Sequence, residues 1–223
     1  MEITENIERI KKEITSDVCL VAVSKTKPKE AILEAYQGGQ RVFGENKVQE
    51  LVQKYEDLPK DIEWHFIGHL QTNKVKYLAP FVSLIHGVDS LKLLKTINKE
   101  GQKNKRVIPC LLQFHIAEEE TKFGLNLAEA KELLESETFA SLDNVEVRGV
   151  MGMATYTDDE NQICREFRLL KKLFDELKTS YFKDQPSFCE ISMGMSGDYQ
   201  LAVREGSTIV RVGSKIFGER DYH

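Results

Sequence analysis

The sequence predicts an α/β fold, a single (β/α)8 TIM barrel preceded by one extra helix, with residues 1–223 forming one domain. Three observations carry this reading. Eight short strand-like runs recur along the chain, and the first, from Leu20, is apolar on both faces rather than alternating, as a strand covered by helices is. Each run is followed by helical or turn material, and strict strand-then-helix alternation gives a parallel sheet with right-handed crossovers. A length of 223 residues suits one barrel of eight such units. An open doubly wound sheet is the alternative, but no glycine-rich dinucleotide fingerprint follows the first run.

Residues 2–15 carry Ile3, Ile7, Ile10 and Ile14 at helical spacing, which predicts the leading helix. Leu20 to Lys25 is the first strand, and Pro28 suits the first position of the helix that follows. Arg41–Gly44, Glu63–Gly68, Phe81–His86 and Arg106–Phe114 read as strands two to five. Ser90 is placed to cap the fourth helix of the barrel, and Gly101 to end it. A polar loop over Glu118–Gly124 follows strand five. Val145–Gly152, Phe188–Ser192 and Thr208–Val212 complete the set, with a long helix over Asp158–Tyr181 between strands six and seven.

The formal charge of −5 argues against a nucleic-acid surface, and no apolar run is long enough to span a bilayer. The acidic start of the chain lacks a signal-peptide core, so a cytoplasmic location is expected. Cys19, Cys110, Cys164 and Cys189 have no paired spacing and read as small buried hydrophobes. His65 and His69 flank a strand end rather than sharing a helix face, so no metal site is expected.

Lys25 sits at the carboxyl end of the first strand, the end that faces the mouth in α/β barrels. A partly desolvated amine there can attack an aldehyde and form a Schiff base. A surface lysine at a loop start fits the strand equally well. The far end of the chain adds weight. Strands seven and eight end in Gly194-Met195-Ser196-Gly197 and Arg211-Val212-Gly213-Ser214, and the corresponding loops of barrels commonly bind phosphate. Glycines allow close backbone approach, and the hydroxyls of Ser196 and Ser214 can donate. Ser196 is also placed to cap the helix at Tyr199-Gln200-Leu201. Ordinary turn glycines and cap serines are the plain alternative for either loop alone. Two such loops opposite a Schiff-base lysine fit a phosphorylated aldehyde, and pyridoxal 5'-phosphate (PLP) answers that description. Arg211 can then face the pyridine nitrogen, with an ion pair in the barrel mouth as its other reading.

The segments Ala22-Val23-Ser24-Lys25-Thr26-Lys27-Pro28, Phe43-Gly44-Glu45-Asn46, Trp64-His65-Phe66-Ile67-Gly68, Leu70-Gln71-Thr72-Asn73-Lys74, Gly194-Met195-Ser196 and Arg211-Val212-Gly213-Ser214 with Ile216-Phe217-Gly218 make a specific set. The chain resembles, nearly end to end, the PLP homeostasis protein family, a single-barrel relative of the alanine racemase N-terminal domain. The resemblance implies that Lys25 is the aldimine lysine, that Ser196, Gly213 and Ser214 contact the phosphate, that Arg211 lies near the pyridine nitrogen, and that Asn46 lies near the ring. Position 69 is histidine where proline is common in the family, and position 214 is serine where threonine is common.

The resemblance implies a carrier or buffer of PLP without a settled reaction. A monomer is expected, with apo forms of PLP-dependent enzymes as recipients. An amino-acid racemase or decarboxylase is the rival; it needs a second acid/base, for which His65, His86 and His115 are the candidates, and no second β domain is expected after strand eight. A metabolite sensor acting through a basic helix at Lys74 and Lys76 is a third class.

Overall fold

The computed structural model describes residues 2–120 and 123–219. Eight parallel strands pair in chain order and close, β1 to β8, into a barrel. The strands are β1 (Cys19–Val23), β2 (Val42–Glu45), β3 (Glu63–Phe66), β4 (Leu84–Val88), β5 (Ile108–Gln113), β6 (Val145–Met151), β7 (Glu190–Ser192) and β8 (Ile209–Val212). Closure pairs Leu20 with Val210 and Val21 with Arg211. The outer layer runs α1 (Glu2–Glu13), α2 (Lys29–Gln37), α3 (Val48–Asp57), a 3-10 turn (Thr72–Lys74) leading into α4 (Val75–Leu78), α5 (Leu91–Lys103), α6 (Leu127–Leu134), α7 (Glu137–Ala140), α8 (Glu160–Ser180), α9 (Tyr199–Arg204) and α10 (Ser214–Phe217). No described helix is long and apolar enough to cross a membrane.

Two apolar layers follow from strand alternation. Inward residues Val21, Leu84, Leu111, Met151 and Ile209 fill the lower barrel. Outward residues such as Phe43, Trp64 and Val210 join the helices in the larger core. The extra helix α1 buries Ile7 and Ile10 and is tied to α10 by Asn6 Nδ2 donating to Ile216 O at 3.1 Å.

Several boundaries moved for local reasons. Phe81 and Val82 donate their N–H groups to Leu78 O, prolonging the turn after α4, so β4 begins at Leu84 rather than Phe81. Arg106 lies in the turn that follows α5 rather than in β5: its N–H reaches Gly101 O, and its guanidinium binds Ala79 O and Val82 O at 2.6 and 2.8 Å. Gly101 does not end α5 but lies within it, because a Cβ there would meet Asn144 O at 2.5 Å. Ser90 caps α5 as expected, accepting from Leu93 N–H. Only Cys110 is fully buried; Cys19 and Cys164 are half-buried and Cys189 is exposed. Thr121 and Lys122 of the expected polar loop lie outside the described residues.

Candidate active site at the C-terminal mouth of the barrel

Strand parity sorts the polar residues at the barrel mouth into two sets. Counting in twos from the interior residue Val21 gives Val23 and then Lys25, one residue past the last ladder bond, Ser24 N–H to Gly44 O. The same count on β2 runs Val42, Gly44, Asn46, and on β8 it runs Ile209, Arg211, Gly213. The inward set is therefore Lys25, Asn46, Arg211 and Gly213, on three adjacent strands. Ser24 and Glu45 point the other way, toward the helices.

The outward set forms a clamp behind Lys25. Ser24 Oγ donates to Glu45 Oε1 at 2.7 Å. Lys54, buried on α3, reaches Glu45 Oε1 at 2.6 Å, the Ser24 carbonyl at 2.8 Å and Glu50 Oε1 at 2.7 Å. Glu50 Oε1 also accepts the Thr26 N–H at 2.7 Å. Thr26 is left-handed at φ 66°, an uncommon conformation for a β-branched residue, which turns the chain sharply after Lys25. Burial raises the Glu45 carboxyl above its ordinary range, against the pull of Lys54. A groove of about 350 Å³ lined in part by Lys27, Lys29, Glu50 and Lys54 lies outside this clamp, not in the barrel mouth.

The three loops that meet here are stitched together. Lys27 Nζ donates to Phe217 O at 3.0 Å, joining the loop after β1 to the end of α10. Gly213 N–H donates to Ser196 Oγ at 3.1 Å, joining the loops after β8 and β7. Ser196 thus does not cap α9; Asp198 precedes that helix and uses Oδ1 to accept the Met195 N–H at 2.6 Å. The Ser196 hydroxyl proton remains for another acceptor, and Ser214 presents an exposed hydroxyl at the start of α10. A Cβ at Gly213 would sit 3.2 Å from Val23 O, so glycine lets β8 lie close against β1.

Arg211 is buried at 3 % exposure with neutral partners, Ser192 Oγ and Gly152 O. The alternative ion pair in the mouth does not occur among the described residues. Burial lowers its guanidinium to about 10, so it stays charged at neutral pH. Its two bonds leave further N–H donors for a ligand acceptor. Asn46 Oδ1 is also buried and unpartnered.

Reading the sequence did not anticipate two features. Glu45 and Lys54 were not singled out, although their spacing across a strand end and a helix turn permits the contact. His65, His86 and Ser192 were not linked to Arg211. In the structure His65 Nδ1 lies 2.9 Å from His86 Nε2, and His86 Nδ1 lies 2.8 Å from Ser192 Oγ. The third histidine, His115, places Nε2 2.7 Å from Ala117 O. Lys74 and Lys76 are exposed and flank Tyr77, at 5.8 and 5.0 Å from its ring centre.

Fold and site define a class: a closed parallel barrel presenting one lysine after β1, beside an arginine and a two-loop cradle from β7 and β8. The chain belongs to the family of the alanine racemase N-terminal domain, whose family model matches residues 1–221. It is 46% identical over 204 residues to the Pyridoxal phosphate homeostasis protein of Aquifex aeolicus, covering 91% of this chain and 87% of that one. It is 36% identical over 238 residues to the protein of the same name from Escherichia coli, covering 99% and 98%. PipY of Synechococcus elongatus, solved with PLP bound, matches with a TM-score of 0.86 at 34% identity, over 97% of this chain and all of that one. Alanine racemase from Bartonella henselae, with covalently bound pyridoxal phosphate, matches at a TM-score of 0.71 and 16% identity over 99% of this chain and 60% of that one, a likeness of fold alone.

Proposed function

We propose that this chain is a cytoplasmic, monomeric PLP carrier: residues 1–223 form one cofactor-binding unit that holds PLP on Lys25 as a Schiff base and buffers or delivers it to apo forms of PLP-dependent enzymes. The names of its relatives and the PLP-bound PipY structure support the ligand. The observation that carries the reading is the inward set itself. Lys25, the unpartnered Asn46 Oδ1 and a buried Arg211 with unused donors face one mouth, and an aldehyde, a ring and a pyridine nitrogen are what such a set would take.

When bound, the cofactor supplies an aldehyde for an amine, a phosphate, and a pyridine ring that can draw electrons. Lys25 provides the amine, and the clamp behind Ser24 fixes where that amine starts. Ser196 and Ser214 offer hydroxyls, and Gly213 a close backbone approach, to the phosphate. Asn46 would lie near the ring. Arg211 would donate to the pyridine nitrogen and, being a group that does not give up its proton readily, would leave that nitrogen unprotonated. An unprotonated ring is a weaker electron sink, which suits storage over turnover.

The racemase reading needs an acid/base free to meet the substrate carbon. His65 and His86 are buried and bonded to each other and to Ser192, and burial lowers both below their ordinary range. The test is paired. Loaded protein mixed with an apo PLP-dependent enzyme should restore that enzyme's activity, and amino acids incubated in heavy water should keep their α-hydrogen. Failure to reactivate any acceptor sinks the carrier, and rapid exchange establishes the rival.

A further inference from the structure

Four residues from four strands form an unbroken polar chain through the barrel interior: His65 on β3, His86 on β4, Ser192 on β7 and Arg211 on β8. All are buried, at 6, 0, 0 and 3 % exposure. The direction of the chain follows from donor and acceptor counts. A guanidinium only donates, so Ser192 Oγ must accept from Arg211. The Ser192 hydroxyl has one proton of its own, and its other neighbour is His86 Nδ1 at 2.8 Å. That nitrogen must therefore be the acceptor. His86 then carries its proton on Nε2 and donates it to His65 Nδ1 at 2.9 Å. His65 in turn carries its proton on Nε2. The reverse direction would leave the buried Ser192 hydroxyl proton without an acceptor, a loss of about 1–3 kcal/mol.

We propose that His65, His86 and Ser192 are positioning residues: a one-way donor chain, running from Arg211 to His65, that locks both imidazoles as neutral Nε2–H tautomers and fixes the guanidinium so that its remaining donors face the ligand. The tautomers stand on the protein alone, and only the last step rests on the proposed PLP site. Burial lowers His65 to about 3 and, with His65 and Arg211 nearby, lowers His86 as well, in keeping with two neutral rings. The chain matters because both hydrogen bonds of Arg211 go to neutral acceptors, while the Asp198 carboxylate acts on it through space without a bond to fix its plane. Here the orientation is set by a hydroxyl, and the hydroxyl is oriented by a histidine of one tautomer.

The experiment is nitrogen-15 histidine NMR on the ligand-free protein at pH 6, followed by PLP titration of Ser192→Ala and Ser192→Thr. Expected are two neutral histidines with unprotonated Nδ1 and protonated Nε2. In Ser192→Ala, His86 should lose its single tautomer, and PLP affinity should fall about tenfold, the effect of one hydrogen bond to a charged group. Ser192→Thr, which keeps the hydroxyl, should restore both. An Nδ1–H or doubly protonated signal for either ring in the wild type overturns the chain, whether or not PLP binds. Correct tautomers with unchanged PLP affinity in Ser192→Ala overturn the positioning role. Correct tautomers in a protein that binds no PLP leave the chain standing and sink the proposed function instead.

Discussion

Lys54 Nζ lies 2.6 Å from Glu45 Oε1 in a pocket closed to solvent, and the same ammonium touches the carbonyl of Ser24, the residue before Lys25. The pair thus acts from behind the barrel wall on the loop that aims the lysine. Lys54→Met leaves a buried carboxylate without its counter-charge and should destabilise the protein by about 3–5 kcal/mol. Removing both charges with Glu45→Gln and Lys54→Met should cost less than Lys54→Met alone. Urea unfolding of the single and double variants measures this, and strictly additive losses would show that the two groups are not coupled.

Gly149 sits where β5 and β6 slip register between Cys110 and Leu111, with φ at 155°. A Cβ there would stand 1.8 Å from Glu190 O, the backbone of the next strand. Gly149→Ala should force β6 and β7 apart and destabilise by at least about 2 kcal/mol. A thermal melt unchanged from wild type would contradict this.

The buried histidines make stability depend on pH with a definite sign. Both are lowered from an ordinary value of 6.5, His65 to about 3, chiefly by burial. Below 6.5 the unfolded chain binds more protons than the folded one. Their contribution is therefore complete above about 6.5 and is lost progressively as pH falls below it. Glu45 acts in the opposite sense: its raised value favours the protonated folded form, so its contribution declines as pH climbs out of the ordinary carboxylate range. Urea unfolding from pH 7 to 4 reads the slope. His86→Gln should flatten it by about one proton, and an unchanged slope would mean that His86 is already charged in the folded protein.

The barrel was legible because eight strand-like runs each lead into helical or turn material, and counting in twos from Val21, Val42 and Ile209 places Lys25, Asn46 and Arg211 inside. The loops after β7 and β8, proposed here to hold the phosphate, stood out as glycine and serine at two strand ends. What stayed hidden depends on closure. His86 and Ser192 stand 106 residues apart, and nothing local to either announces the other. The interior position of Gly101 in α5 was misread as a helix end because the close approach of Asn144 comes from another segment. Ser196 was misread as a cap because its partner, Gly213 N–H, belongs to the next loop.

The most direct measurement is borohydride reduction of the PLP-loaded protein followed by peptide mass mapping, run beside Lys25→Ala. Expected is a visible absorption band that disappears on reduction, one pyridoxyl group on Lys25, and a folded Lys25→Ala protein that takes no stoichiometric label. A label on other lysines, retained in full by Lys25→Ala, would contradict the assignment of Lys25 as the residue that holds the cofactor.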